Sequence, residues 1–209
     1  MSHLHRVYAS TNVEETKSLY DSWAASYDSE MAKEDQEYVG PALAAAHVLK
    51  HLGTKSINPS TEILDAGCGT GLAGIALAQL GGKKIDGVDL SPGMLDIARK
   101  AGVYRNLDTA DLSTRLAYDD NAYDVVCCVG TLTQGHVGPV AIDEFVRIVK
   151  PGGLVVATVL GYIYESGGYE AKIESLAKEG RVKLISADME DYRRGAGVQA
   201  RMVVIRVMS

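Results

Sequence analysis

The residues best suited to chemistry lie in the run Ile63-Leu64-Asp65-Ala66-Gly67-Cys68-Gly69-Thr70-Gly71. Apolar residues and an acid lead into three glycines at alternate positions. Glycine has no Cβ, so the chain can turn sharply there and let a ligand touch its backbone. A strand that ends in such a turn, with a helix starting just beyond it, offers unpaired N–H groups to a nucleotide-type cofactor. Asp89 closes the next apolar run, about 20 residues past the loop, where a carboxylate can accept both hydroxyls of a ribose. Its alternative use is as a cap for a helix starting at Ser91.

Gly69-Thr70-Gly71-Leu72-Ala73-Gly74 satisfies G-x-G-x-x-G. With Asp89 beyond it, that pattern points to a dinucleotide and to nicotinamide-dependent oxidoreduction. Taken alone it has low specificity. Asp65 pulls the other way: two residues before Gly67, it would repel a pyrophosphate and suits a cofactor bearing an ammonium group.

Alternating strands and helices must position these residues. Apolar runs predict strands over 61–66, 84–88, 104–109, 123–129 and 154–160. Apolar spacing and breakers predict helices over 12–32, 42–52, 72–80, 92–100, 139–149 and 170–179. Ser91-Pro92 is a helix start, and Gly53 and Gly180 are stops. Pro151-Gly152-Gly153 breaks the fifth helix before the strand at 154. Apolar strands alternating with helices mean a parallel sheet covered on both faces. The alternating patterns at 181–186 and 199–207 suit an antiparallel pair at one edge. A single domain over 1–209 is expected, with a helical extension over 1–55 and a cofactor-binding core over 60–209.

Three segments in order resemble the signature of class I S-adenosylmethionine-dependent methyltransferases: Asp65 to Gly71, Val88-Asp89-Leu90-Ser91, and Val149-Lys150-Pro151-Gly152-Gly153. The segment Tyr20-Asp21-Ser22-Trp23-Ala24-Ala25-Ser26-Tyr27-Asp28 resembles the N-terminal helix of small-molecule, UbiE-like members. Its nearest likeness is the Williams–Beuren syndrome region methyltransferase-like family. The resemblance implies an α/β fold: a Rossmann-like, doubly wound, seven-stranded sheet, mostly parallel with the last strand antiparallel. It implies S-adenosyl-L-methionine as cofactor and S-adenosyl-L-homocysteine as product.

By the same resemblance Gly67, Cys68, Gly69 and Gly71 line the methionine and ribose, and Asp65 orients the amino group directly or through water. Asp89 takes the ribose, Leu90 and Met94 flank the adenine, Asp111 accepts from the adenine amino group and Leu112 covers the ring. Gly130 and Thr131, with Val129, stand beside the sulfonium. Tyr20 and Tyr27 fold over as a lid, with a phenol reaching the methionine carboxylate. Each has a plainer use: apolar packing for Leu90, Met94 and the aromatic stripe with Trp23, and a solvated loop for Asp111.

The implied reaction is direct in-line methyl transfer. It needs alignment and exclusion of water more than acid–base help, so no nucleophilic triad or metal cluster is expected. His136, in the loop 133–138 after the fourth strand, is the candidate general base for a weakly acidic acceptor; otherwise it is a solvent-exposed loop histidine. His47 and His51, four apart on a helix, lack a third ligand and are expected on the surface. His3 and His5 are assigned to a loose terminus. Tyr162, Tyr164 and Tyr169 either wall a substrate pocket or lie on an amphipathic surface.

Composition narrows the partners. A formal charge of −6 argues against a nucleic-acid groove, which needs a basic face. No apolar run reaches the roughly 20 residues that span a bilayer, and no signal-peptide h-region opens the chain. Cys68, Cys127 and Cys128 read as reduced, buried small hydrophobes. The expectation is a cytoplasmic enzyme acting on a small molecule, without nucleic acid, membrane or metal. A cofactor-binding protein of the same fold without methyl transfer is the rival class; the oligomeric state is left open.

Overall fold

A computed structural model of the chain describes residues 3–33, 35–133 and 137–209. Its centre is a seven-stranded sheet in the order β3-β2-β1-β4-β5-β7-β6. The strands are β1 (Glu62–Ala66), β2 (Lys84–Asp89), β3 (Asn106–Thr109), β4 (Tyr123–Leu132), β5 (Val149–Leu160), β6 (Val182–Arg193) and β7 (Val198–Val207). β4 and the second half of β5 are nearly continuous apolar runs, and β1 is buried from residue 63 to 66, as strands covered on both faces require. All pairings from β3 to β5 are parallel; β7 enters antiparallel between β5 and β6. Thus only β7 runs against the sheet, in agreement with the expected architecture.

The chain order reverses direction across the sheet between β1 and β4. Strand ends diverge at such a switch point and leave a crevice at their carboxyl edge. The glycine loop leaves β1 and Gly130 and Thr131 end β4, so both flank that crevice.

Helices α3 (Gly40–Leu52) and α4 (Leu72–Gln79) pack together, as do α6 (Val140–Ile148) and α8 (Tyr169–Lys178). α5 (Pro92–Lys100) begins as its sequence predicts: Ser91 Oγ accepts from the Met94 N–H, and Pro92 occupies the first turn. Gly53 ends α3 in the left-handed region at φ 71°. α2 (Val13–Met31) is capped by Asn12, whose side chain accepts from the Glu15 N–H, while Glu15 accepts from the Thr11 N–H.

Several local expectations are corrected. His3 and His5 are not in a loose segment: α1 (His3–Tyr8) holds both and buries Val7, and His3 stacks on Trp23 with ring centroids 5.5 Å apart. Pro151-Gly152-Gly153 lies inside β5, not before it, because Gly152 at φ 83° forms an irregularity that keeps Val149 paired with Tyr123. β6 extends to Arg193, well past the predicted 186, since its pairing with β7 continues to Arg193 through two register shifts, at Leu184/Ser186 and Asp191/Arg193. A short helix, α7 (Gly161–Tyr164), joins β5 to α8.

Two apolar clusters result. The large one fills the space between sheet and helices; the small one is built from Val7, Trp23 and Met31 of α1 and α2. Among the described residues no helix is long and apolar enough to cross a membrane.

Candidate active site

The loop after β1 is shaped by glycine conformations. Gly67, Gly69 and Gly71 have φ of 74°, 54° and 100°, a region costly for residues with a Cβ. The loop folds back on β2: the N–H groups of Gly67 and Cys68 both donate to the Val88 carbonyl, at 2.8 and 2.9 Å. A Cβ on Gly67 would lie 2.0 Å from Thr131 Oγ1, so the β1 and β4 loops meet there without room for a side chain.

Asp89 ends β2 beside this loop. Its carboxylate accepts from the Gly69 N–H at 2.8 Å and the Ser91 N–H at 2.9 Å. Burial raises its pKa, against the pull of these backbone donors. Ser91, not Asp89, caps α5, while Asp89 keeps a face toward the crevice.

The crevice is a cavity of about 250 Å³. Gly67, Gly69, Asp89, Leu90 and Met94 form one wall, and Asp111 and Leu112 continue it. Val129, Gly130 and Thr131 close the end nearest β4. Tyr20 and Tyr27 of α2 cover it from the opposite side. Most of the residues singled out from sequence therefore meet at one cavity. Asp111 is also engaged locally, accepting from the Ser113 N–H at 2.8 Å and its hydroxyl at 2.6 Å.

Three singled-out residues stand elsewhere. Asp65 is fully buried behind the loop and is not on the cavity wall; it accepts a hydrogen bond from the Tyr104 hydroxyl at 2.7 Å, and its Oδ1 has no partner among the described residues. Burial pushes its pKa up to about 7; the Tyr104 hydrogen bond opposes the shift and the Asp89 charge adds to it. Cys68 lines a small adjoining crevice with Tyr38 and Thr70. Gly71 packs against the Tyr104 ring, which would stand 3.1 Å from a Cβ there. His136 lies outside the described residues.

The remaining aromatic and histidine side chains singled out from sequence stand away from the cavity wall. Tyr164 and Tyr169 are buried in the main core and Tyr162 is exposed, so none of the three lines the cavity. Tyr169 instead donates to the Val137 carbonyl, and Val137 is on the wall. Trp23 is buried between Tyr20 and Tyr27, its indole N–H donating to Glu30 at 3.0 Å. His47 is not a surface residue: its Nε2 lies 2.7 Å from Glu190 of β6, with the His51 ring stacked on it. Among the described residues no cluster of three or more His, Cys, Asp or Glu could hold a metal ion.

Sequence reasoning missed Thr11, Asn12, Val13 and Thr16, which continue the cavity wall beyond Tyr20. Val13, Thr16, Tyr20 and Tyr27 share one helical face, so extending that periodicity toward the start of α2 would have found them. It also missed the Tyr38–Tyr192 hydroxyl pair, 3.2 Å apart, at the position where a Gly130 Cβ would point. No local signal links those two residues, which come from opposite ends of the chain.

Residues 64–157 match the family model for a methyltransferase domain. Methyltransferase-like protein 27 of Homo sapiens is 39% identical over 141 residues, which cover 67% of this chain and 56% of that protein. The chain thus carries a methyltransferase domain over residues 64–157. Malonyl-(acyl-carrier protein) O-methyltransferase of Serratia marcescens is 32% identical over 160 residues, 75% of this chain and 57% of that enzyme. The chain thus spans little more than half the length of these curated relatives. A chain from the complex between the Haloferax volcanii Trm112 methyltransferase activator and its methyltransferase shares the fold, with a TM-score of 0.64 at 17% identity, covering 92% of this chain and 97% of that one. The family domain begins in β1 and ends in β5, so it holds the glycine loop, Asp89, Asp111 and Gly130, whereas α1 and α2 precede it.

Proposed function

We propose that this chain transfers a methyl group from S-adenosylmethionine to a small-molecule acceptor by direct in-line displacement. The observation that carries the proposal is the carboxylate of Asp89 on the cavity wall, pre-oriented by the Gly69 and Ser91 N–H groups beside a left-handed glycine loop. The residues present fit such a cofactor: two carboxylates and no Lys or Arg are among the described lining residues, which suits a cationic, hydroxyl-rich ligand. Its sulfonium supplies a methyl whose leaving group is a neutral thioether, so the protein has little proton transfer to arrange.

The chain's own residues then bind, orient and exclude water. Asp89 holds the ribose hydroxyls; Gly67 and Gly69 let the backbone lie against the ligand; Leu90, Met94 and Leu112 enclose the adenine, with Asp111 at its amino group. Gly130 and Thr131 bound the space in which donor and acceptor meet. Tyr20 and Tyr27 shield that space from solvent, which strengthens the electrostatics within it. Asp65 supports the loop from behind, through Tyr104. His136 is the base when the acceptor is a weakly acidic hydroxyl or carbon acid. The name of another relative, demethylmenaquinone methyltransferase, supports a small acceptor.

Calorimetry with S-adenosylmethionine, S-adenosylhomocysteine and NADH tests the cofactor. Tight NADH binding without either S-adenosyl ligand would overturn the proposal in favour of the oxidoreductase that G-x-G-x-x-G allows. Turnover of labelled methyl donor against a metabolite panel separates an enzyme from a binding protein of the same fold. The same assay with His136→Ala across pH tests the base.

A further inference from the structure

Helix α2 carries the pair Tyr-Asp twice, as Tyr20-Asp21 and Tyr27-Asp28, seven residues apart. Seven residues are about two turns, so both pairs present the same face. The tyrosines line the cavity. The aspartates hold the edges of that same cavity. Asp21 Oδ1 accepts from Ser91 Oγ at 2.5 Å and from the Gly93 N–H at 2.9 Å, at the N-terminus of α5. Asp28 Oδ1 accepts from Thr70 Oγ1 at 2.5 Å, within the glycine loop.

Each contact reaches a segment that also holds Asp89. Ser91, bonded to Asp21, donates its N–H to Asp89; Gly69, next to Thr70, donates its own. The aspartates therefore bracket the carboxylate proposed to bind the ribose. Approach at α5 is close: a Cβ on Gly93 would lie 3.1 Å from Asp21 Cα. The apolar groups of α1 and α2, by contrast, pack mainly on one another, around Val7, Trp23 and Met31, and form a cluster apart from the main core. A helix with its own small core, joined to the sheet side by polar contacts, can leave as a unit.

We infer that Asp21 and Asp28 are paired latches that hold α2 closed over the cavity, and that an S-adenosyl ligand enters and leaves only when both release. They are positioning residues: they act through Tyr20 and Tyr27 and through the segments that orient Asp89. The inference rests on the proposed cofactor. It adds that the rate of exchange is set by two side chains that do not line the cavity.

Trp23, the only tryptophan in the chain, sits on α2 between the two tyrosines and reports its docking. The test follows Trp23 fluorescence in the full chain while S-adenosylhomocysteine is mixed in and then chased with excess S-adenosylmethionine. Loss of one charge-assisted hydrogen bond from the closed state corresponds to roughly tenfold in an opening equilibrium. Asp21→Ala and Asp28→Ala should each speed dissociation by about that factor. Association should speed as well, so the equilibrium affinity moves less than either rate. Asp28→Asn keeps an acceptor oxygen for Thr70 and should restore most of the slow exchange. Rates unchanged in both alanine variants, with binding intact, would overturn the latch alone. So would weakened affinity with an unchanged association rate, which marks a binding or merely structural contact. Failure of the unaltered chain to bind S-adenosylhomocysteine would instead overturn the cofactor proposal, and the latch with it. A melt of each variant by circular dichroism, matching that of the parent, establishes that the rates belong to a folded protein.

Discussion

Asp65 offers a quantitative test of how the loop is supported. Its carboxyl is fully buried, with a pKa of about 7 in the folded chain against about 3.9 when unfolded. The folded state then holds this proton more tightly than the unfolded one between those values. The associated stability is fully present below about pH 4 and declines as pH rises through about 7. At about 1.36 kcal/mol for each pH unit separating the two values, the loss amounts to about 4 kcal/mol, a large fraction of a typical domain's total. Asp65→Asn keeps the shape and an oxygen for the Tyr104 hydroxyl but cannot ionise. The substitution adds a constant cost for the buried amide N–H groups, so the informative quantity is the change with pH. Urea unfolding of both proteins, followed by circular dichroism from pH 5 to 8.5, should show the variant gaining about 3 kcal/mol relative to the parent, with the gain levelling off above pH 7. Parallel stability profiles, agreeing within about 0.5 kcal/mol of a constant offset across that range, would refute the reasoning. They would mean that Asp65 ionises normally in the folded chain and that burial does not dominate its environment.

Other expectations follow from single contacts. Asp89→Ala should weaken S-adenosylhomocysteine binding by roughly ten- to a hundredfold by calorimetry, as loss of hydrogen bonds to a charged group implies. Because the carboxylate is the accepting form and burial raises its pKa, affinity should fall as pH drops, starting above the usual carboxylate range; a flat affinity from pH 4 to 7 would contradict this. Gly67→Ala combines a left-handed φ with a contact 2.0 Å from Thr131 Oγ1, and should cost about 2–4 kcal/mol in chemical denaturation as well as abolish binding. Phe145→Ala removes the only phenylalanine, fully buried in α6, and should cost about 3–5 kcal/mol.

The segments that declared themselves in the sequence are those whose conformation is dictated locally. Gly67, Gly69 and Gly71 demand a turn that residues with a Cβ avoid, and Ser91-Pro92 sets a helix start through its own cap. The apolar runs of β1, β4 and β5 could only be strands covered on both faces. From these the sheet, the crevice and the place of Asp89 within it followed. The irregularity in β5 was less legible, because Pro151-Gly152-Gly153 reads as a stop until its partner β4 is known. The half-exposed β6 carries a mixed pattern, so its full length shows only once β7 pairs with it.

Side-chain direction divides what sequence determines from what the fold decides. The sequence by itself determined the methyltransferase domain, the α/β order and most of the residues gathered at the cavity, because glycine conformation, capping and strand burial act over a few neighbouring residues. It could not determine that Asp65 turns behind the loop to Tyr104, or that Asp21 and Asp28 reach Ser91 and Thr70. Nor could it bring Tyr38 of the α2–α3 connection to Tyr192 of β6. Those contacts join residues separated by 39 to 154 positions. Their existence depends on where the packed sheet holds each backbone, and no local preference encodes that.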